Sequence, residues 1–127
     1  MTQLLSGDIG GTKTILRLAQ VDDADVRSHV SHEAQIETLY EAKFHSGDYP
    51  EFVPMVREFL AQASDHAGIV KPQAACFAIA GPIVDNTSQL TNLSWFLRAE
   101  FLSGALNIPS VQLINDFEAI GYGVLGL

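Results

Sequence analysis

The sequence predicts an α/β fold, a mixed five-stranded sheet with flanking helices. Three observations predict it. Residues 3–9 and 13–21 are rich in Ile, Leu and Val and are separated by Gly10-Gly11, a hairpin signal. Phe52, Val56, Phe59, Leu60 and Ala63 recur at helical spacing. From there strand-like and helix-like segments alternate, which calls for helices packed on a sheet. The length of 127 residues fits one domain, and 47% hydrophobic with 17% charged residues is a globular balance.

Residues 3–9 form a first strand and 13–21 a second. Residues 22–33, polar and acidic, read as a loop, and 34–44 as a third strand. A helix is expected within residues 48–63, with Asp48 and Glu51 resembling a capping box. Pro54 lacks an amide donor, so a start near residue 50 or 51, which leaves the proline in the first turn, is preferred. Residues 74–80 read as a buried strand ending at Gly81-Pro82, and 83–93 as a polar, turn-rich loop. Residues 96–106 read as a second helix, 110–114 as a fifth strand, and a further helix begins at Asp116. This order resembles the ribonuclease-H-like, actin-like half-domain.

Composition excludes some functions. Fifteen Asp and Glu against seven Lys and Arg leave a net charge of −8. The basic residues are scattered, so neither the counterion-displacing face of a nucleic-acid binder nor a patch for an anionic membrane is expected. Phosphate remains a possible ligand, because backbone N–H groups or a metal can hold it. No run is long and apolar enough to span a bilayer, and the first residues do not form a signal peptide. The single cysteine, Cys76, excludes an internal disulfide and reads as core. A cytoplasmic protein is expected. The four histidines lack ligand spacing, and Asp22, Asp23 and Asp25 do not complete a calcium loop.

Two segments carry candidate chemistry. In Gly7-Asp8-Ile9-Gly10-Gly11-Thr12 the glycines permit positive φ and close approach, so several N–H groups can converge on one anion. Thr12 adds a hydroxyl, and Asp8 at the strand end can hold Mg²⁺ directly or through water. The order Gly-Thr-Lys-Thr is not that of a P-loop, and the next segment reads as a strand, not as the helix of a dinucleotide fingerprint. An ordinary hairpin turn explains the same glycines. The second segment, Ile114-Asn115-Asp116-Phe117, lies where a buried strand runs into a helix, the place where open α/β sheets bind ligands. Asp116 there can accept the proton of an attacking hydroxyl, and Asn115 can orient a neighbouring one. For an isolated Asn-Asp, plain helix capping is the better reading. The pairing favours the functional reading: an Asp ends the first strand and another follows the last, which suggests a metal-phosphate site facing a hydroxyl substrate. Thr91-Asn92-Leu93-Ser94-Trp95 suits either a sugar loop or a capped helix start with Trp95 as core. Gly81-Pro82 suits a close backbone approach or a plain turn.

Five blocks, in order, resemble the bacterial glucokinase family. They are residues 5–12, Ser46-Gly47-Asp48-Tyr49-Pro50, Ala78-Ile79-Ala80-Gly81-Pro82-Ile83, Thr91-Asn92-Leu93-Ser94-Trp95 and Ile114-Asn115-Asp116-Phe117-Glu118-Ala119. The resemblance implies a two-lobed, actin-like enzyme that transfers the ATP γ-phosphate to glucose O6 with Mg²⁺. Residues 1–127 would be its N-terminal lobe. By motif position Asp116 is the expected general base, and Asn115 binds glucose hydroxyls. Gly7, Asp8, Ile9, Gly10, Gly11 and Thr12 contact ATP phosphate, Asp8 lies near Mg²⁺, and Thr91 and Asn92 lie close to the sugar. Family members are two to three times longer and carry a Glu-X-Gly-His sugar block and a second glycine-rich block that this sequence lacks. The 127 residues alone are therefore expected to have negligible kinase activity, and their exposed lobe interface to favour self-association. A related kinase acting on another hexose, and a non-catalytic binding module, remain alternatives.

Overall fold

The computed structural model describes residues 2–21, 36–90, 93 and 95–115. The seven strands among them are β1 (Thr2–Ile9), β2 (Lys13–Val21), β3 (Ile36–His45), β4 (Ala74–Ile79), β5 (Thr87–Gln89), β6 (Phe96–Arg98) and β7 (Ser110–Asn115). The helices are α1 (Phe52–Ala67) and α2 (Ala99–Leu106), and a 3-10 turn spans Ser46–Asp48. Five strands form the main sheet in the order β3-β2-β1-β4-β7. The first three pair antiparallel, whereas β1, β4 and β7 are parallel. The expected mixed five-stranded sheet is what forms.

Side chains alternate between the two faces of each strand. Leu5 and Ile9 of β1, Leu16 and Leu18 of β2, Phe77 and Ile79 of β4, and Leu113 of β7 point into one core. Helix α1 closes that core with Phe52, Met55, Val56, Phe59 and Ala63, and α2 adds Leu102. Phe52 meets the Phe77 ring edge-on with centroids 5.0 Å apart. Ser6, Asp8, Cys76 and Ala78 alternate with these core positions and occupy the other face.

Gly7 sits inside β1 for want of space. A Cβ there would stand 2.7 Å from Phe77 Cδ1 and 2.9 Å from Leu16 Cδ2. Both distances are closer than real carbon contacts allow.

One local expectation holds and three change. Helix α1 starts at Phe52, so Pro54 occupies its first turn, where the missing amide costs no intrahelical bond. The capping box does not form: the N-cap is Glu51 without a side-chain bond, and Asp48 lies in the 3-10 turn, 3.6 Å from His45 Nδ1. The expected loop over 83–93 contains β5, which pairs antiparallel with β6. A tight turn at Asp85 and Asn86, with φ of 51° and 58°, precedes β5. Positive φ at both central residues marks a primed turn, which Asp and Asn tolerate. Finally, Phe96–Arg98 is strand rather than helix, because Leu97 alone of the three is buried and all three pair with Thr87–Gln89. The helix begins at Ala99 and ends at Asn107 in the left-handed conformation, φ 56°. The residue 22–33 loop and the helix from Asp116 lie outside the described residues.

Candidate functional site

The parallel register builds one rim. Ile9 of β1 is level with Ile79 of β4, and Ile79 with Asn115 of β7. Three parallel strands therefore end in a row, the edge at which open α/β sheets bind ligands. Two strand spacings separate Ile9 from Asn115, about 10 Å. Asp8 is exposed one residue before the end of β1, and its carboxylate has no hydrogen-bond or ion-pair partner among the described residues. The chain leaves β7 at Asn115 directly toward Asp116, which lies outside the described residues, as do Thr91 and Asn92.

The glycine turn crowns this rim at β1. Gly10 N–H donates to the Lys13 carbonyl at 3.0 Å, closing the hairpin. Gly10 is not left-handed, contrary to the expected use of its freedom. It is needed because a Cβ would come within 2.9 Å of the Lys13 carbonyl oxygen. Gly11 and Thr12 keep their backbone N–H groups without a protein acceptor among the described residues. Thr12 is exposed. Ile9 is buried in the core, so only its backbone is available at the turn. Gly7 lies two residues deeper, against Phe77 and Leu16.

Asn115 is held in place from the neighbouring strand's exit. Its Nδ2 donates to the Gly81 carbonyl at 2.6 Å, which gives the Gly81-Pro82 turn its role at the rim. Trp95 is 2% exposed, packs on Phe52 and donates its indole N–H to the Tyr49 carbonyl at 3.0 Å. It is a core anchor, one of the two roles its sequence context allows. Tyr49 donates its hydroxyl to Glu58, and that hydrogen bond pushes the phenol pKa up to about 12. Burial raises the Cys76 thiol above its ordinary range.

Sequence reasoning missed a cationic group. Lys13 is opposite His45 across β2 and β3, and Lys43 is opposite Ile15 on the same face. The two lysines lie on a diagonal, about 7–8 Å apart at the backbone. Thr12, Lys13, Lys43, Phe44 and His45 line an open cavity of about 300 Å³ beside the glycine turn. Among the described residues neither lysine makes an ion pair. Thirty residues separate them in sequence, so only the β2–β3 pairing reveals the cluster.

No group of three His, Cys, Asp or Glu side chains gathers as a metal site among the described residues. A lone exposed carboxylate nevertheless fits Mg²⁺, which commonly takes one or two carboxylates and otherwise water and substrate phosphate oxygens. No described helix is long and apolar enough to cross a membrane.

The antiparallel start, the parallel continuation and the shared rim define the chain as a half-domain of the ribonuclease-H-like, actin-like class. Comparison with known proteins narrows this. The sequence model of the glucokinase family matches residues 5–127. The glucokinase of Trichormus variabilis is 52% identical over 127 residues, all of this chain and 34% of that protein. The crystal structure of a glucokinase from an Antarctic psychrotroph superposes with a TM-score of 0.75 at 32% identity, over 96% of this chain and 34% of that one. A glucokinase from Balamuthia mandrillaris, solved in complex with glucose, gives 0.65 at 26% identity, over 97% of this chain and 32% of that one. The chain belongs to the glucokinase family. It spans about a third of the length of the curated relatives it matches.

Proposed function

We propose that these residues form the phosphate-gripping, base-carrying side of an ATP-dependent kinase that phosphorylates glucose at O6. The observation that carries this reading is the rim: Gly11 and Thr12 N–H groups, without an acceptor among the described residues, stand beside an exposed Asp8, on the edge where Asn115 also ends β7.

In the proposed reaction the Gly10–Thr12 turn receives the nucleotide phosphates through its N–H groups, and Asn115 orients the sugar. Asp116 accepts the O6 proton as O6 forms its bond to the γ-phosphorus. The bond from that phosphorus to the β,γ-bridging oxygen breaks, and ADP leaves with the electron pair. Asp8 would hold Mg²⁺, which when bound neutralises phosphate charge. Lys13 and Lys43 add positive potential at the approach to the turn. Gly7 contributes by letting β1 pack, and Thr91 and Asn92 would lie toward the sugar.

Amide NMR of the ¹⁵N-labelled 127-residue chain tests this. Titration with ATP-Mg²⁺ is expected to move the Gly10, Gly11 and Thr12 signals, and titration with glucose the Asn115 side-chain amide. The 127 residues alone are expected to bind without measurable transfer. In the whole enzyme, Asp116→Asn is expected to lower turnover about 10²- to 10⁴-fold. ATP shifts confined to the α1 side of the sheet would refute the reading.

A further inference from the structure

Directly beneath the glycine turn lies a buried polar cluster that no local pattern in the chain connects with it. Thr14 and Ser46 are both 0% exposed, 32 residues apart, with their hydroxyl oxygens 2.9 Å from each other. Ser46 Oγ is also 2.8 Å from the Gly10 carbonyl oxygen, to which it donates. A hydroxyl has one proton. The serine proton goes to Gly10, so the threonine hydroxyl donates to the serine. The result is a directed chain from Thr14 through Ser46 to the Gly10 carbonyl. The Ser46 backbone completes the grip, donating its N–H to the Thr12 carbonyl at 2.8 Å.

The two bonds fix the turn from below. Gly10 and Thr12 have their carbonyl oxygens engaged by Ser46, and the Lys13 carbonyl is engaged by Gly10 N–H. The Gly10 carbonyl shares a trans peptide plane with the Gly11 N–H, so drawing that oxygen inward turns the Gly11 N–H to the open side, and the bond to the Thr12 carbonyl anchors the far end of the turn, next to the Thr12 N–H. An unbraced glycine turn could rotate those peptides and present carbonyl oxygens to an incoming anion, which would repel it. Convergent N–H groups bind anions well only when held in advance, because ordering them at the moment of binding costs conformational entropy.

We propose that Ser46 is a positioning residue that presets the glycine turn for phosphate. This role rests on the turn's being the phosphate site. Ser46 touches no ligand; it acts through the Gly10 and Thr12 carbonyls. It also explains why a serine at the start of the 3-10 turn after β3 is wholly buried: it is the peg that joins β3's exit to the β1–β2 hairpin.

The test uses the ¹⁵N-labelled 127-residue chain and inorganic tripolyphosphate, with ATP-Mg²⁺ as a second probe. Affinity is read from the Gly11 and Thr12 amide shifts, and stability from thermal unfolding. Ser46→Ala is expected to weaken tripolyphosphate binding at least tenfold and to speed amide exchange at Gly11 and Thr12, with α1 and β4 signals unmoved. Ser46→Thr, which keeps the hydroxyl, is expected to stay within about threefold of the unaltered chain. Thr14→Val, which removes only the donor to Ser46, serves if Ser46→Ala does not fold, and an intermediate loss is expected. A merely structural role would lower the melting temperature and leave the affinity of the folded molecules unchanged, and that result overturns the proposal. So does a folded Ser46→Thr that binds as weakly as Ser46→Ala. If tripolyphosphate and ATP-Mg²⁺ leave the turn amides of the unaltered chain unmoved, the phosphate reading falls and the positioning role falls with it. If the unaltered chain binds and both Ser46→Ala and Thr14→Val bind equally well, only the positioning role falls.

Discussion

Gly7→Ala separates two explanations for the first glycine of the Gly7-Asp8-Ile9-Gly10-Gly11 segment. A phosphate role predicts weaker nucleotide binding; a packing role predicts lower stability. The new methyl carbon would lie 2.7 Å from Phe77 Cδ1 and 2.9 Å from Leu16 Cδ2. Both neighbours are 0% exposed and sit in the middle of the core, so neither can swing away. Overpacking of this kind costs about 1–3 kcal/mol. Alanine also restricts the unfolded chain relative to glycine, which offsets roughly 0.4–1 kcal/mol. A net loss of about 1–2 kcal/mol remains. With an unfolding entropy near 2.1 cal/mol/K per residue, this lowers the melting temperature by roughly 4–8 °C. Thermal unfolding followed by circular dichroism measures it. Pairing Gly7→Ala with Phe77→Leu should recover part of the loss, since the smaller side chain makes room for the methyl group; the double-mutant cycle should show coupling. A Gly7→Ala chain as stable as the original would refute the packing account. One that is equally stable but has lost phosphate affinity would return Gly7 to the binding turn.

Three further predictions concern other parts of the molecule. Asn86 accepts the Leu113 N–H at 2.9 Å, donates to the Val111 carbonyl, and holds φ at 58°. Asn86→Ala should therefore cost about 1–3 kcal/mol in a denaturant titration, whereas Asn86→Gly, which relieves the φ strain, should cost less. Because burial raises the Cys76 thiol, the folded-state pKa exceeds the unfolded one. The stability it contributes is then complete below the unfolded thiol pKa and is lost as pH rises through the folded value. A Cys76→Ala chain should show a shallower alkaline fall in melting temperature than the parent, and Cys76 in the folded chain should alkylate more slowly than in urea. Removing the positive charges of Lys13 and Lys43 together, as Lys13→Gln and Lys43→Gln, should weaken ATP-Mg²⁺ binding roughly three- to tenfold at low salt, a difference that shrinks as salt is added. Equal losses at low and high salt would argue against an electrostatic role.

Much of the architecture was legible in the sequence because it is encoded locally. β2 runs over the expected residues, since its alternation and the Gly10-Gly11 break are short-range signals. Helix α1 announced itself by period, and Pro54 placed its start in the expected direction. The β5–β6 hairpin was hidden for the opposite reason. Three-residue strands carry too little alternation to be read, and Phe96–Arg98 suits a helical pattern until Thr87–Gln89 pairs with it.

The candidate site divides along the same line. The glycine turn, Asp8 and Asn115 could be named in advance because glycine and acid-amide pairs at strand ends are local patterns. Ser46 and the Lys13–Lys43 pair could not, since each acts across strands that are distant in the chain.

Residue order by itself indicated where the main strands and α1 lie, and which turn is the candidate for phosphate chemistry. Tertiary structure alone decided that β1, β4 and β7 end on one rim, that Gly7 serves the core, and that Ser46 braces the turn from below. The physical reason is range. Propensity and periodicity act over a few residues, whereas parallel register, steric exclusion and buried hydrogen bonds exist only after distant segments meet.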